Sequence, residues 1–215
     1  MAVQPHLHVV PAVAPRGAYQ RFVKPLIDRL GGIALSLLTL PLLVVLIPLI
    51  WAKLGRPAIF KQKRIGFHGQ EFMVYKLRTM RPDRRSNVVP WDGVDRRVNH
   101  KSPDDPRHVP LGRFLRKWSL DELPQFWNVA LGDMSLVGPR PELPSLVDKY
   151  EPWQHRRHAV KPGITGLWQV SERGDIPMHE ATGIDIEYVE SVSFRMDLRV
   201  LFLTIPAALG SNKGH

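Results

Sequence analysis

From Gly31 to Ala52 the chain reads GGIALSLLTLPLLVVLIPLIWA, 22 residues without a charge. At about 1.5 Å per residue a helix of this stretch is roughly 33 Å long, against a bilayer hydrocarbon core of about 30 Å. The length marks a membrane segment. No small-x-small cleavage site follows it, which argues against a signal peptide. Two features set it apart from a plain crossing. Pro41 stands mid-run and Pro48 follows; a proline inside a helix deletes a backbone bond and collides with the preceding turn, costing about 3 kcal/mol. Both flanks are also basic. Arg16, Arg21, Lys24 and Arg29 precede the run, opposed by Asp28, and Lys53, Arg56, Lys61, Lys63 and Arg64 follow it with no acid among them. Basic flanks stay in the cytoplasm, and one crossing cannot keep both there. A re-entrant helix bent at Pro41 can, with Ser36 or Thr39 hydroxyls serving the freed carbonyls. A kinked single crossing is the alternative on the same physics.

Beyond the membrane segment the pattern changes period. AIFKQKRIG and QEFMVYKLRTM alternate loosely, with Gly66 and Gly69 between them, and predict two strands in a hairpin. Arg81 to Pro110 carries Pro, Asp, Arg and Asn without apolar periodicity and predicts a functional lid or loop. Helical spacing returns at Leu111–Lys117, Leu123–Leu131 and Pro144–Ala159. KPGITG predicts a turn, GLWQVSERG a short strand and turn, and MHEATGIDIEYVESVS a helix. Phe194 to Gly210 mixes apolar residues with Arg195, Asp197 and Arg199, as an interfacial amphipathic helix or one packed on the core would. The expected class is α+β, mostly helical: an N-terminal re-entrant membrane helix–break–helix, then a cytoplasmic catalytic domain with interfacial amphipathic helices. The expected divisions are a disordered leader at 1–20, the membrane helix at 21–55 broken at Pro41, and the catalytic domain at 56–215.

Charge narrows the partners. Thirty Lys and Arg face twenty Asp and Glu, a net +10, which suits nucleic acid, phosphorylated small molecules or an anionic membrane surface. With no cysteine, a disulfide framework and thiolate chemistry are excluded. His155 and His158 in QHRRH lie one helical turn apart, but Arg156 and Arg157 between them repel a cation; a basic face at the membrane is the expectation. Trp118, Trp127, Trp153 and Trp168 suit interfacial anchors or core packing.

The unusual stretch is RKWSLDELPQFWNVALGDMSLVGPRPE, Arg116 to Glu142. Asp121 and Glu122 sit side by side in a basic chain. Ser119 and Glu122 fit a capping box, but Pro124 would then be the fifth helical residue and break a bond; Asp121 as the cap moves Pro124 into the tolerated first turn. Around the pair lie Arg113, Arg116 and Lys117, and Arg140 is clamped between Pro139 and Pro141. A rigidly presented guanidinium suits bidentate phosphate contact. Paired carboxylates suit Mg2+, which prefers oxygen ligands and phosphates, and an ionised Asp can attack phosphorus and carry the group covalently. Beside a membrane segment, this points to phosphoryl transfer with a lipid phosphate as one reactant.

At this point the chain resembles the bacterial sugar transferases, the monotopic phosphoglycosyl transferases. The likeness runs from about Lys24 to Leu209, on KPLID, Pro41, FKQKRIG, FMVYKLRTM, LGRFLRKWSLDELPQFWNVALGDMSLVGPRPE, KPGITGLWQV and DIEYVESVSFRMDLRVL. The resemblance implies transfer of a sugar 1-phosphate from a UDP-sugar to undecaprenyl phosphate with release of UMP and with Mg2+. The setting it implies is the cytoplasmic face of the inner membrane, opening exopolysaccharide, capsule, O-antigen or glycoprotein glycan assembly. It makes Asp121 the covalent nucleophile and Glu122 a metal ligand with Asp121. It puts Lys76, Arg116, Arg140 and Arg173 near substrate and Pro41 at the membrane break, and it admits a homodimer. The chain departs from the family at Glu172, where a small residue is common, and at Pro25, where a basic one is; the leader is expected to be too short for the multi-helix domain of larger relatives. Direct transfer without a covalent intermediate is the mechanistic alternative. A membrane-anchored nucleic-acid binder is the non-enzymatic one, but it leaves the acid pair and Arg140 unexplained, and no nucleic-acid partner is expected.

Overall fold

A computed structural model describes residues 17–81, 107–171 and 181–209. Its first element is one long helix, α1 (Lys24–Leu54), entered through a π turn at Tyr19–Val23. The expected break is not seen: Pro41 and Pro48 both lie inside α1. One proline removes only one bond, and neighbouring turns keep theirs. The expected rescue differs too. Pro41 deprives the carbonyl of Leu37, four residues back, whereas the Thr39 hydroxyl donates to Leu35 O at 2.7 Å. The Ser36 hydroxyl has no hydrogen-bond partner among the described residues. At the other end of the leader, Tyr19 is ordered by a 2.7 Å bond from its hydroxyl to Asp197. Residues 1–16 lie outside the described residues.

α1 buries a stripe with four-residue spacing at each end and little between. Lys24, Asp28 and Gly32 are buried near its start, and Leu46, Ile50 and Leu54 near its finish. Leu37, Leu38, Val44 and Val45, from the middle, are exposed. At Gly32 the helix touches the backbone of a later helix so closely that a Cβ would lie 2.6 Å from Ala130 N. The far stripe joins Ala58, Leu77, Val109 and Leu115 in a core cluster.

The predicted hairpin forms: β1 (Ile59–Ile65) pairs antiparallel with β2 (Glu71–Leu77), Ile59 opposite Leu77. Then come α2 (Pro110–Lys117), α3 (Gln125–Leu131) and β3 (Ser135–Val137). The stretch expected as one helix from Pro144 to Ala159 divides into α4 (Pro144–Val147) and a 3-10 helix (Pro152–Ala159). Glu151 is extended because a residue before proline avoids the helical region. The expected turn at KPGITG contains β4 (Gly163–Thr165), parallel to β3. A Cβ on Gly163 would lie 2.1 Å from Gly138 N, so the glycines there serve close backbone approach. Where a strand was expected, α5 (Leu167–Ser171) is helical. α6 (Thr182–Ser191) and α7 (Phe194–Leu209) complete the fold.

The start of α1 is tied to the end of the chain. Lys24 Nζ reaches Asp197 at 2.6 Å and Val137 O at 3.0 Å. Tyr188 donates to Asp197 at 2.6 Å, and Asp28 accepts from Leu136 N at 3.0 Å. The expected basic face at QHRRH is also revised: Arg157 and His158 are buried, because Arg157 finds acids inside the fold. Most of the expected Arg81–Pro110 loop lies outside the described residues.

Candidate active site

Two helices and a reversed turn create the acid pair. α2 ends at Lys117, and Ser119 adopts a left-handed backbone, φ 52°. Such a conformation is unfavourable for a residue with a Cβ. It throws Leu120–Glu122 into one 3-10 turn, closed by Glu122 N donating to Ser119 O at 3.2 Å. Neither capping arrangement forms. The Ser119 side chain makes no capping bond, and the cap of α3 is Pro124.

The two acids therefore face different surroundings. Glu122 is gripped from both sides in sequence: Lys76 Nζ donates to its Oε1 at 2.7 Å and Arg140 NH2 to the same oxygen at 2.6 Å. Burial pushes the Glu122 carboxyl up, but Arg140 and Lys76 together hold it well below the usual carboxylate range. Lys76 is itself lowered by burial, with Glu122 opposing. The Glu122 carboxylate beside Arg140 raises the guanidinium's pKa. Asp121 is different. No described side chain hydrogen-bonds its carboxylate, although Lys76 and Arg140 lie close enough to act on it electrostatically. Burial first, and repulsion from Glu122 second, push it up to about 6. One acid is a fixed anion held by two cations; the other is a partly buried carboxylate without a side-chain hydrogen bond, raised to about 6.

The surrounding frame is specific. Asn128 of α3 donates to Met73 O at 2.7 Å and accepts from Tyr75 N at 3.1 Å. The helix that follows the acids thus grips the strand that carries Lys76. Arg116 NH1 donates to Thr79 Oγ1 at 3.2 Å, two residues beyond β2. Gly112 lets α2 approach there; a Cβ would lie 1.8 Å from Thr79 O. The structure thus brings together Asp121, Glu122, Lys76 and Arg140, and sets Arg116 against Thr79. Arg173 lies outside the described residues. Sequence reasoning missed Thr79 and Asn128. Asn128 had a signal, a poor helix former inside a helix.

Asp121 and Glu122 are the oxygen donors the site offers to Mg2+, and Glu122 would have to share its oxygens with Lys76 and Arg140. Two adjacent carboxylates are hard oxygen ligands, and Mg2+ characteristically takes one or two of these and completes its shell with water and substrate phosphates. Among the described residues no group of three or more His, Cys, Asp or Glu is placed to hold a metal ion.

Comparison with known proteins places the chain. The family described as "Bacterial sugar transferase" matches residues 19–211. The "Uncharacterized sugar transferase EpsL" of Bacillus subtilis (strain 168) is 41% identical over 189 residues, 88% of each chain. The exopolysaccharide production protein ExoY of Sinorhizobium fredii is 38% identical over 205 residues, 91% of this chain and 88% of its own. The UDP-glucose:undecaprenyl-phosphate glucose-1-phosphate transferase of Escherichia coli (strain K12) is 35% identical over 199 residues, covering 89% of this chain but 41% of its own. This chain is therefore a transferase of the bacterial sugar transferase family.

Proposed function

We propose that the protein transfers a sugar 1-phosphate from a UDP-sugar to undecaprenyl phosphate, releasing UMP, through a covalent intermediate on Asp121. The step would open assembly of an exopolysaccharide, capsule, O-antigen or glycoprotein glycan at the cytoplasmic face of the inner membrane. One observation carries the reading: Glu122 is paired with Lys76 and Arg140, while Asp121 beside it has no side-chain hydrogen bond or ion pair among the described residues. The name of the Escherichia coli relative, with its donor, acceptor and transferred group, supports the choice of substrates.

In the first half-reaction a carboxylate oxygen of Asp121 attacks the phosphorus that bears the sugar. The bond from that phosphorus to the bridging oxygen breaks, and UMP leaves with the electron pair. In the second, a phosphate oxygen of undecaprenyl phosphate attacks the same phosphorus and the bond from phosphorus to the Asp121 oxygen breaks, restoring the carboxylate. Lys76 and Arg140 supply positive charge where the equatorial oxygens become more negative. Their pairing with Glu122 keeps them oriented before the donor arrives. Held by Asp121 and Glu122, Mg2+ would neutralise diphosphate charge.

Membrane topology belongs to the same reading. Both ends of α1 are fastened to one domain, Lys24 through Asp197 and Val137, Ile50 through the cluster with Leu77 and Leu115. A bilayer crossing would separate those ends by about 30 Å of hydrocarbon. This supports a helix that dips into one leaflet and returns, bending at Pro41 while remaining helical. Single cysteines at Gln20 and Phe60, in a chain without native cysteine, should both resist labelling from outside intact cells; labelling of one refutes the re-entrant topology.

The central test is incubation with UDP-sugar and no lipid. The expected result is up to one equivalent of UMP and a phosphosugar on the Asp121 peptide by mass spectrometry, both lost in Asp121→Asn. Turnover by Asp121→Asn with no adduct on the parent would favour direct transfer instead.

A further inference from the structure

Arg140 is presented by a segment whose backbone is held almost wholly through its acceptors. Pro139 and Pro141 have no N–H, so orientation depends on what donates to the carbonyls. Four consecutive ones are each engaged from outside the segment. Gly163 N donates to Pro139 O at 2.9 Å and Ile65 N to Glu142 O at 2.9 Å. Arg64 NH1 donates to Pro141 O at 3.1 Å. Arg140 O accepts from Arg157 NH2 at 2.7 Å. Three of these donors come from strands or their edges. The fourth, on the central residue, is a fully buried guanidinium.

A buried charge is an expensive way to supply one hydrogen bond. The desolvation it suffers is often not recovered from the ion pairs it makes, and apolar residues of similar volume are commonly as stable. Arg157 is nonetheless engaged at both terminal nitrogens, while its Nε has no hydrogen-bond partner among the described residues. Its NH2 lies 2.5 Å from Asp185 Oδ2 on α6, its NH1 donates to the Tyr150 hydroxyl at 2.5 Å, and Glu142 Oε1 is 3.9 Å away. Asp185 and Glu142 are buried as deeply as Arg157. What an apolar side chain could not supply is direction: a planar fork, held at its two terminal nitrogens, aimed at the carbonyl of the residue that grips Glu122.

We propose that Arg157 is a positioning residue for Arg140, with Asp185 and Tyr150 holding its guanidinium in the orientation that fixes the Arg140 backbone against the acid pair. The inference rests on the reading that Arg140 serves the donor phosphates. Lysine keeps the charge but lacks the rigid fork, and cannot reach Arg140 O, Tyr150 and Asp185 together.

The test is a double-mutant cycle on the full chain in detergent with undecaprenyl phosphate. The donor is whichever of UDP-glucose, UDP-galactose and UDP-N-acetylglucosamine releases UMP fastest. Arg157→Lys should lower kcat/KM for the donor by roughly 10- to 100-fold, the scale of a small misplacement of a catalytic group. In an Arg140→Ala background the same change should cost less than about 3-fold, because the group it positions is gone. An equal loss in both backgrounds, or none in the parent, overturns the inference and leaves Arg157 a fold residue. Should Arg157→Lys fail to fold, Tyr150→Phe takes its place under the same criterion, with a loss of roughly 2- to 10-fold in the parent. An Arg140→Ala protein that turns over like the parent, or a parent that releases no UMP, sinks instead the reading of Arg140 or of the reaction, and this inference with it.

Discussion

Asp121→Asn should make the protein inactive and more stable, by an amount that depends on pH. The folded environment raises the Asp121 carboxyl from 3.8 to about 6. The folded state therefore binds that proton more tightly than the unfolded state, and ionisation works against folding. The penalty is absent well below pH 4, grows between about pH 4 and 6, and is constant above. At 1.36 kcal/mol per pH unit its ceiling is about 3 kcal/mol. Asparagine keeps the shape and removes the charge. At pH 8 the variant should melt several degrees above the parent, roughly 2–4 °C for each kcal/mol recovered in a chain of this size. At pH 4.5 the gain should shrink to about a third, since most of the titration lies above that pH. Tryptophan fluorescence melts of both proteins in one detergent at the two pH values measure this. A variant no more stable than the parent at pH 8, or one with the same gain at both pH values, would refute the assignment of Asp121 as a desolvated, repelled carboxylate.

The same group should govern the acid limb of activity. As Asp121 must be ionised to attack, UMP release should fall about tenfold per pH unit below an apparent pKa near 6, read from kcat/KM against pH; an acid limb near 4 would point to another group. Glu122→Gln removes the charged partner of Lys76 and Arg140 and should raise the Mg2+ concentration needed for half-maximal rate while lowering kcat/KM; an unchanged Mg2+ titration would count against its role. Gly112→Ala puts a Cβ 1.8 Å from Thr79 O and should cost about 1–3 kcal/mol in stability, with reduced turnover because Thr79 accepts from Arg116; an unshifted melt would mean that the two segments part freely.

The elements that the sequence determined are those whose information is local. The β1–β2 hairpin followed from alternation and two glycines, α2 and α3 from helical spacing, and the length of the apolar run from counting. The acid pair was visible as a pair with Arg116 and the proline-clamped Arg140 beside it, and family resemblance supplied Lys76. Tertiary structure decided what distance conceals. Lys76 lies 46 residues before Glu122 and Arg140 18 after it, so no period links them, and only the packing of α3 on β2 through Asn128 brings strand and acid together. The β3–β4 pair was illegible because each strand is three residues long and owes its form to glycines pressed against each other's backbone. Arg157 read as surface charge because burial of an arginine is disfavoured until a fold sets Asp185, Glu142 and Tyr150 around it. The continuity of α1 through Pro41 is of the same kind: local rules price the lost bond, while the turns on either side determine whether the helix continues.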